Sequence, residues 1–253
     1  VNDVVVLNRS EEDVTVLRLS RGANTLDEES ICCLDDALAA LERDGAPALV
    51  VCSAHTSVFS PGLDLKRLDG QPRDVIRRVM VGFNALLRRL AVYPAPTVAA
   101  VAGHAIAGGC LLALACDRRV MARSGARIGL SEVNLGIPVP AGAVAMLVAL
   151  YQTRAVEQLV LEGDGFGGER ALELGLVERL AAPGEVLADA RRLARHLASR
   201  PRPGWATAKA YLRHDLARVM EERDTAELER FLDHWFEAGT QDRLGALVAS
   251  MSH

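Results

Sequence analysis

Three positions in this chain combine residue type and setting in a way that could do chemistry. Glu132 stands alone in the apolar segment Ile128–Pro138, with no Lys or Arg within four residues on either side and Arg127 five away. A carboxylate in apolar surroundings has a raised pKa and can exchange protons near neutrality. The same segment also fits an exposed glutamate, or one paired with a distant arginine. The second position is Leu63, after Pro61-Gly62. Proline fixes φ and glycine permits positive φ, so this turn can leave the Leu63 N–H pointing into a cavity. Taken alone, it reads rather as an ordinary strand-to-helix connection. The third is Gly108, in Ala107-Gly108-Gly109-Cys110. The first N–H groups of a helix lack internal partners and carry partial positive charge, which suits a developing oxyanion. Close helix–strand packing through small residues would use the same glycines.

Other chemistries lack their patterns. No Gly-Lys-Ser/Thr follows the glycines, and the three-glycine dinucleotide spacing is missing. Ser60 is not in a nucleophile elbow. His55, Ser60 and Asp64 share a loop without readable triad geometry, and His104 can either touch a ligand or pack. The five cysteines, Cys32, Cys33, Cys52, Cys110 and Cys116, contain no CxxC pair. They read as small buried hydrophobes of a reducing cytosol, not as a zinc site or disulfide frame.

The elements that must position these residues are visible in the hydrophobic pattern. Val4–Leu7 and Val14–Leu19 read as paired strands around a charged turn, Ser10–Asp13. Asp27 opens a helix whose apolar positions are Ile31, Leu34, Leu38 and Leu41, and Gly45-Ala46-Pro47 ends it. Ala48–Cys52 is an apolar run, as in a buried parallel strand. A loop from Ser53 to Asp69 follows, then an amphipathic helix over Arg73–Leu90. Thr97–Ala102 is a strand, Gly103–Gly109 a turn, Cys110–Ala115 a helix and Arg118–Met121 a strand. Asp117-Arg118-Arg119 reads as a solvated helix end. After Gly142 helices dominate, most clearly Ala188–Ser199, Trp205–Glu222 and Thr225–Ala238. The pattern predicts an α/β fold with a largely parallel sheet over residues 1–200. A helical region follows over 201–253, hinged at Pro201-Arg202-Pro203-Gly204.

Composition narrows the function class. The chain has 253 residues, 50% of them hydrophobic, and a net charge of −4, with Lys66 and Lys209 its only lysines. The acidic balance and the lack of a basic-aromatic stripe argue against nucleic acid. Ala95–Cys116 is uncharged and long enough to span a bilayer. Pro96, Gly103, Gly108 and Gly109 interrupt it, so it reads as buried strand, turn and helix. No secretory or peroxisomal signal is seen, and the composition suggests a cytoplasmic bacterial protein.

Taken together, the segments resemble the crotonase, or enoyl-CoA hydratase/isomerase, family. Asn24-Thr25-Leu26 looks like its early Asn-Ala-Leu motif, and Phe59-Ser60-Pro61-Gly62-Leu63-Asp64-Leu65 like its first oxyanion loop. Val98–Gly103 through Ala107–Cys110, then Leu114–Asp117, looks like the second. Gly129–Ile137 and Glu173–Val177 match later landmarks. The resemblance implies a crotonase-like spiral of ββα units with a C-terminal helical region that forms trimers or dimers of trimers. It implies an acyl-CoA thioester whose carbonyl accepts N–H bonds from Leu63 and Gly108, with no separate cofactor. Around that substrate it places Ala23, Ser60, Gly62, Lys66, His104, Gly109 and Leu111, with Lys209 reaching the phosphates; either lysine can equally be a solvated charge.

Family hydratases carry two glutamates, one at the position held here by Leu111 and one at the position of Glu132. A single glutamate suits allylic isomerisation instead, with Glu132 taking a C2 proton from a 3-enoyl-CoA and returning it to C4. The motif pattern is similar to mitochondrial-type Δ3,Δ2-enoyl-CoA isomerases, although Ile137-Pro138-Val139-Pro140 departs from it. Hydration, acyl-CoA hydrolysis and a non-catalytic acyl-CoA or RNA-binding oligomer remain alternatives.

Overall fold

The computed structural model describes residues 4–9 and 14–251, so the expected Ser10–Asp13 turn lies outside the described residues. Strands β1 (Val5–Arg9) and β2 (Val14–Leu19) pair antiparallel. Helix α1 (Glu28–Arg43) opens on a capping box. The Asp27 carboxylate accepts the Ser30 N–H at 2.8 Å, and the Ser30 hydroxyl accepts the Asp27 N–H at 2.8 Å. Such a box satisfies orphan donors that would otherwise fray the first turn. The buried stripe of α1 is the predicted Ile31, Leu34, Leu38 and Leu41.

The chain then repeats one move three times: a strand in a large sheet, a strand in a small sheet, and a helical return. The first unit is β3 (Ala48–Ser53), β4 (Val58–Ser60), α2 (Leu65–Leu68) and α3 (Arg73–Val92). The second is β5 (Thr97–Val101), β6 (His104–Ile106) and α4 (Gly108–Ala115). The third is β7 (Arg118–Ala122), β8 (Arg127–Gly129), α5 (Glu132–Leu135), α6 (Ala141–Leu150) and α7 (Thr153–Leu161). Then β9 (Gly165–Gly167) completes the small sheet, and after α8 (Gly168–Glu173), β10 (Arg179–Ala181) completes the large one. The large sheet runs β1-β2-β3-β5-β7-β10 and is parallel beyond β1; the small sheet runs β4-β6-β8-β9, with only β8 and β9 antiparallel. The apolar runs β3 and β5 sit inside the large sheet, buried along almost their whole length. Parallel strands need cover on both faces, which explains the lack of alternation in their sequences.

Helix α9 (Val186–Ala198) packs on β3, β5 and β7. Three helices follow: α10 (Arg202–Leu212), α11 (Leu216–Trp235) and α12 (Ala238–Ser250). The predicted helices 205–222 and 225–238 are divided differently. The break falls at 213–215, where the Arg213 guanidinium turns back to the Ala91 carbonyl and to Asp117. Residues 222–225 contain no Gly or Pro to stop a helix, so α11 runs through them. It packs on α3 and α6, folding the C-terminal region back over the core.

Of Asp117-Arg118-Arg119, expected as a solvated helix end, Arg118 is exposed but its two neighbours are not. Asp117 is buried and accepts the Thr97 N–H at 2.9 Å, Lys209 Nζ at 2.7 Å and Arg213 Nη2 at 2.8 Å. Arg119 is also buried, pairs with Glu178 and lies 5.2 Å from the Tyr151 ring centroid. Buried charges persist only when paired and hydrogen-bonded, and here the partners come from distant segments. Cys52, Cys110 and Cys116 are buried as expected, whereas Cys32 is exposed and Cys33 half-buried.

Candidate active site

Two loops interlock to hold the amides. In the first, the Leu26 N–H donates to Gly62 O at 2.8 Å, and the Asp64 N–H donates to Leu26 O at 3.0 Å. In such a parallel bridge, the residue between the two partners turns its own N–H and C=O to the opposite side. Leu63 is that residue. Its carbonyl accepts the Leu65 N–H at 2.9 Å. In the second loop, the Ala107 N–H donates to Gly129 O at 2.9 Å, and Ala107 takes φ 51° and ψ −125°. A non-glycine residue in that region costs about 1–3 kcal/mol and is retained only where the surroundings over-determine it. The strain aims Gly108 as the first residue of α4. Among the described residues, neither the Leu63 nor the Gly108 N–H has an acceptor.

Glycines let these loops touch. Gly62 has φ +89°, and a Cβ built there would lie 2.7 Å from Gly108 N. A Cβ at Gly109 would lie 2.1 Å from Ser60 O. The Ser60 hydroxyl donates to Asn24 O at 2.7 Å and accepts the Gly62 N–H at 3.2 Å. Asn24 holds the strand before the turn, donating to Ser53 Oγ at 2.8 Å and Phe59 O at 3.0 Å. Thr25 Oγ1 donates to Asp64 Oδ2 at 2.8 Å. The early Asn-Thr-Leu motif is therefore the brace of the first loop.

Both loops open on a cavity of about 290 Å³, lined by Leu63 and Gly108 together with Leu111, Ser131 and Glu132. Its other walls are apolar: Met80 and Phe83 from α3, Ile137 and Pro140 after α5, and Phe231, Trp235, Leu247 and Met251 from the C-terminal helices. Glu132 is the only ionisable residue lining it among those described. Its Oε2 is buried without a hydrogen-bond partner. Burial pushes its pKa up to about 7, against a smaller opposing effect of its own and the Ser131 backbone N–H. Two free donors beside a carboxylate that is basic near neutrality can polarise a carbonyl oxygen and move a proton on a neighbouring carbon.

The predicted site residues divide into three groups. Leu63, Gly108, Leu111 and Glu132 converge on the cavity, with Gly62 in the turn beneath. Ser60 and Gly109, read as substrate contacts, form the joint between the loops and do not line the cavity, because their close packing leaves no room for a ligand atom. Ala23 and His104 are exposed and lie off its walls. Lys66 Nζ donates to Met251 O at 2.8 Å on the rim. Lys209, expected at phosphates or in solvent, is buried in the Asp117 ion pair. The residues missed by sequence reasoning are chiefly apolar: Met80, Phe83, Phe231, Trp235, Leu247 and Met251. The Phe231/Trp235 pair at i,i+4 was the available signal in a chain with few aromatics.

The site thus sets two backbone N–H groups without acceptors on the same cavity as one half-buried carboxylate, in an α/β spiral. The family described as enoyl-CoA hydratase/isomerase matches residues 9–243. A putative enoyl-CoA hydratase of Thermus thermophilus is 36% identical over 198 residues, covering 77% of this chain and 78% of that protein. The crystal structure of human mitochondrial Δ3-Δ2-enoyl-CoA isomerase superposes with a TM-score of 0.92 at 27% identity, covering 98% of each chain. A Mycobacterium tuberculosis enoyl-CoA isomerase gives 0.80 at 31% identity, over 90% of this chain and 98% of that one. The chain belongs to the enoyl-CoA hydratase/isomerase, or crotonase, family.

Proposed function

We propose that this enzyme moves a carbon–carbon double bond from the 3 to the 2 position of an acyl-CoA thioester. The observation that carries this reading is that Glu132 is the single ionisable residue, among those described, lining a mostly apolar cavity. The thioester carbonyl oxygen accepts the Leu63 and Gly108 N–H groups. Glu132 removes a C2 proton, the dienolate charge rests against the two amides, and the same carboxyl returns the proton to C4. Each such donor contributes about 3–4 kcal/mol at the transition state. Leu111, fully buried, stands where a second carboxylate would activate water and instead keeps water out. The reaction only relocates a proton and a double bond, so the chain's own residues supply every group it needs and no separate cofactor takes part. Activity that persists after exhaustive dialysis against chelator is the expected result.

Relatives named as hydratases and as isomerases both match this chain, so the choice of reaction rests on Leu111 and Glu132. The discriminating assay offers purified enzyme 3-enoyl, 2-enoyl and saturated acyl-CoA esters. Conversion of the 3-enoyl to the 2-enoyl ester, abolished in Glu132→Gln, supports isomerisation. Rapid hydration of crotonyl-CoA, or hydrolysis of the saturated ester, refutes it. In this reading Lys66, whose Nζ donates to the carbonyl of the cavity-lining Met251, meets the CoA portion. The reading also includes a homotrimer, or a dimer of trimers, working in the cytoplasm. Sedimentation equilibrium tests the assembly. No described helix is long and apolar enough to cross a membrane.

A further inference from the structure

Met80, Pro140 and Phe231 line the main cavity and also line a second space of about 10 Å³. They are therefore the wall between the two. The second space holds about one oxygen-sized group. Beyond the wall it is lined by the polar side chains of Asn84, Asp224 and Glu227 beside Ala141 and Leu228. Asn84 is 6% exposed and Asp224 9% exposed, and Asn84 Oδ1 and Asp224 Oδ2 are both buried without a hydrogen-bond partner.

The geometry of Asp224 is specific. Its Oδ1 accepts the Gly142 N–H at 2.8 Å, at the start of α6, which fixes the carboxylate and leaves Oδ2 over. A Cβ at Gly142 would lie 2.2 Å from Oδ2, so glycine there is what admits the carboxylate. Burial pushes the Asp224 pKa up to about 6, so the group is mainly ionised at neutral pH and remains an acceptor. Whichever way the Asn84 amide is turned, it presents a polar atom to the same space. Buried acceptors without donors are costly, so a donor brought by a ligand would be bound selectively.

We propose that this recess is a subsite for a hydroxyl group on the distal part of the acyl chain, and that the enzyme's substrates are hydroxylated acyl thioesters. The inference rests on the acyl-CoA reading of the main cavity. The hydroxyl donates to Asp224 Oδ2 or to Asn84, whereas the methyl end of a plain chain can satisfy neither. Met80, unbranched and flexible, is the part of the wall that yields to let the chain through.

The test is calorimetric titration of the intact enzyme with saturated acyl-CoA esters of graded length, each with and without a terminal hydroxyl. At one chain length the hydroxylated ester should bind about tenfold more tightly or better, as expected for a hydrogen bond to a charged acceptor. Asn84→Leu fills the recess with methyl groups and should bring the pair toward parity. Asp224→Asn keeps the Gly142 contact but removes the charge, and should shrink the preference even where Asn84→Leu fails to fold. Equal binding of both esters at every length overturns the subsite, leaves the acyl-CoA reading intact, and means that the recess holds water only. Full preference retained in both variants also overturns it, because the hydroxyl then binds elsewhere. Failure of every ester to bind would instead remove the acyl-CoA reading itself.

Discussion

Replacing Gly62 by alanine should abolish most of the rate while leaving the fold intact. Gly62 sits at φ +89°, a region that costs an L-residue about 1–2 kcal/mol. The new Cβ would also lie 2.7 Å from Gly108 N, where non-bonded heavy atoms prefer about 3.5 Å or more. That neighbour is backbone at the strained start of α4, so the loops must part by several tenths of an ångström. Oxyanion donors work at about 2.7–3.1 Å, and a shift of that size takes one of them out of range. The loss of one donor corresponds to about 3–4 kcal/mol, or a hundredfold to a thousandfold in kcat. Steady-state kinetics on a 3-enoyl-CoA, with thermal denaturation of the same sample, separates the two effects. Gly70→Ala is the control. It has φ +67° with nothing within 4 Å of its Cβ, so it carries the backbone strain without the clash. Near-parental kcat in Gly62→Ala, or an equal loss in Gly70→Ala, would refute the argument that the loop contact sets the donor geometry.

The pH dependence follows from the same site. Glu132 must be ionised to act as a base, so kcat/KM should rise through pH about 7; a profile already level well below that value would contradict its role. Its folded-state pKa lies above the ordinary 4.5, so the folded form favours the proton, and stability should fall as pH rises from about 4.5 to about 7, by about 3 kcal/mol in all. Urea unfolding across that range should show the fall, and Glu132→Gln should flatten part of it, with Asp224 adding a loss of the same sign up to pH about 6. Lys209→Met should cost roughly 3 kcal/mol or more by breaking the buried pair with Asp117, while KM for acyl-CoA stays unchanged; a raised KM with normal stability would return Lys209 to the phosphates. Leu111→Ala should cost about 2–5 kcal/mol and admit water beside Glu132, seen as greater deuterium incorporation into product made in heavy water.

What was legible in the sequence is what depends on near neighbours. The isolation of Glu132, the Pro61-Gly62 turn and the Gly108-Gly109 start of α4 each lie within a few residues, and all converge on the cavity. The apolar runs of β3 and β5 were equally plain. The three-residue strands β4, β6, β8, β9 and β10 were not, because alternation over three residues carries no period. Pairings across the chain were invisible as well. Ser60 and Gly109 read as ligand contacts because nothing local shows that they press on each other. Lys209 read as a free cation because Asp117, which holds it, lies 92 residues earlier. The C-terminal helices showed their apolar stripes, but a stripe does not say whether it faces a neighbour or a cavity.

That distribution bears on how the reaction is specified. In the proposed reaction the oxyanion would be held by backbone alone, by two N–H groups set in place by glycines, by a strained Ala107 and by the Asn24–Ser60 brace. Side chains can change around it without altering where the two N–H groups point, so one such frame can serve several reactions. On the proposed reading, the choice among them falls to the few side chains that line the cavity, above all Leu111 and Glu132. A second carboxylate at Leu111 would put two acids in one apolar cavity, and they would not both ionise. One would stay protonated, able to donate to a carbon, while the other held water. With leucine there, a catalytic Glu132 would have no carboxylate partner with which to divide the roles of acid and base, and would perform both in turn. That constraint favours relocation of a proton within one substrate over the addition of water across its double bond.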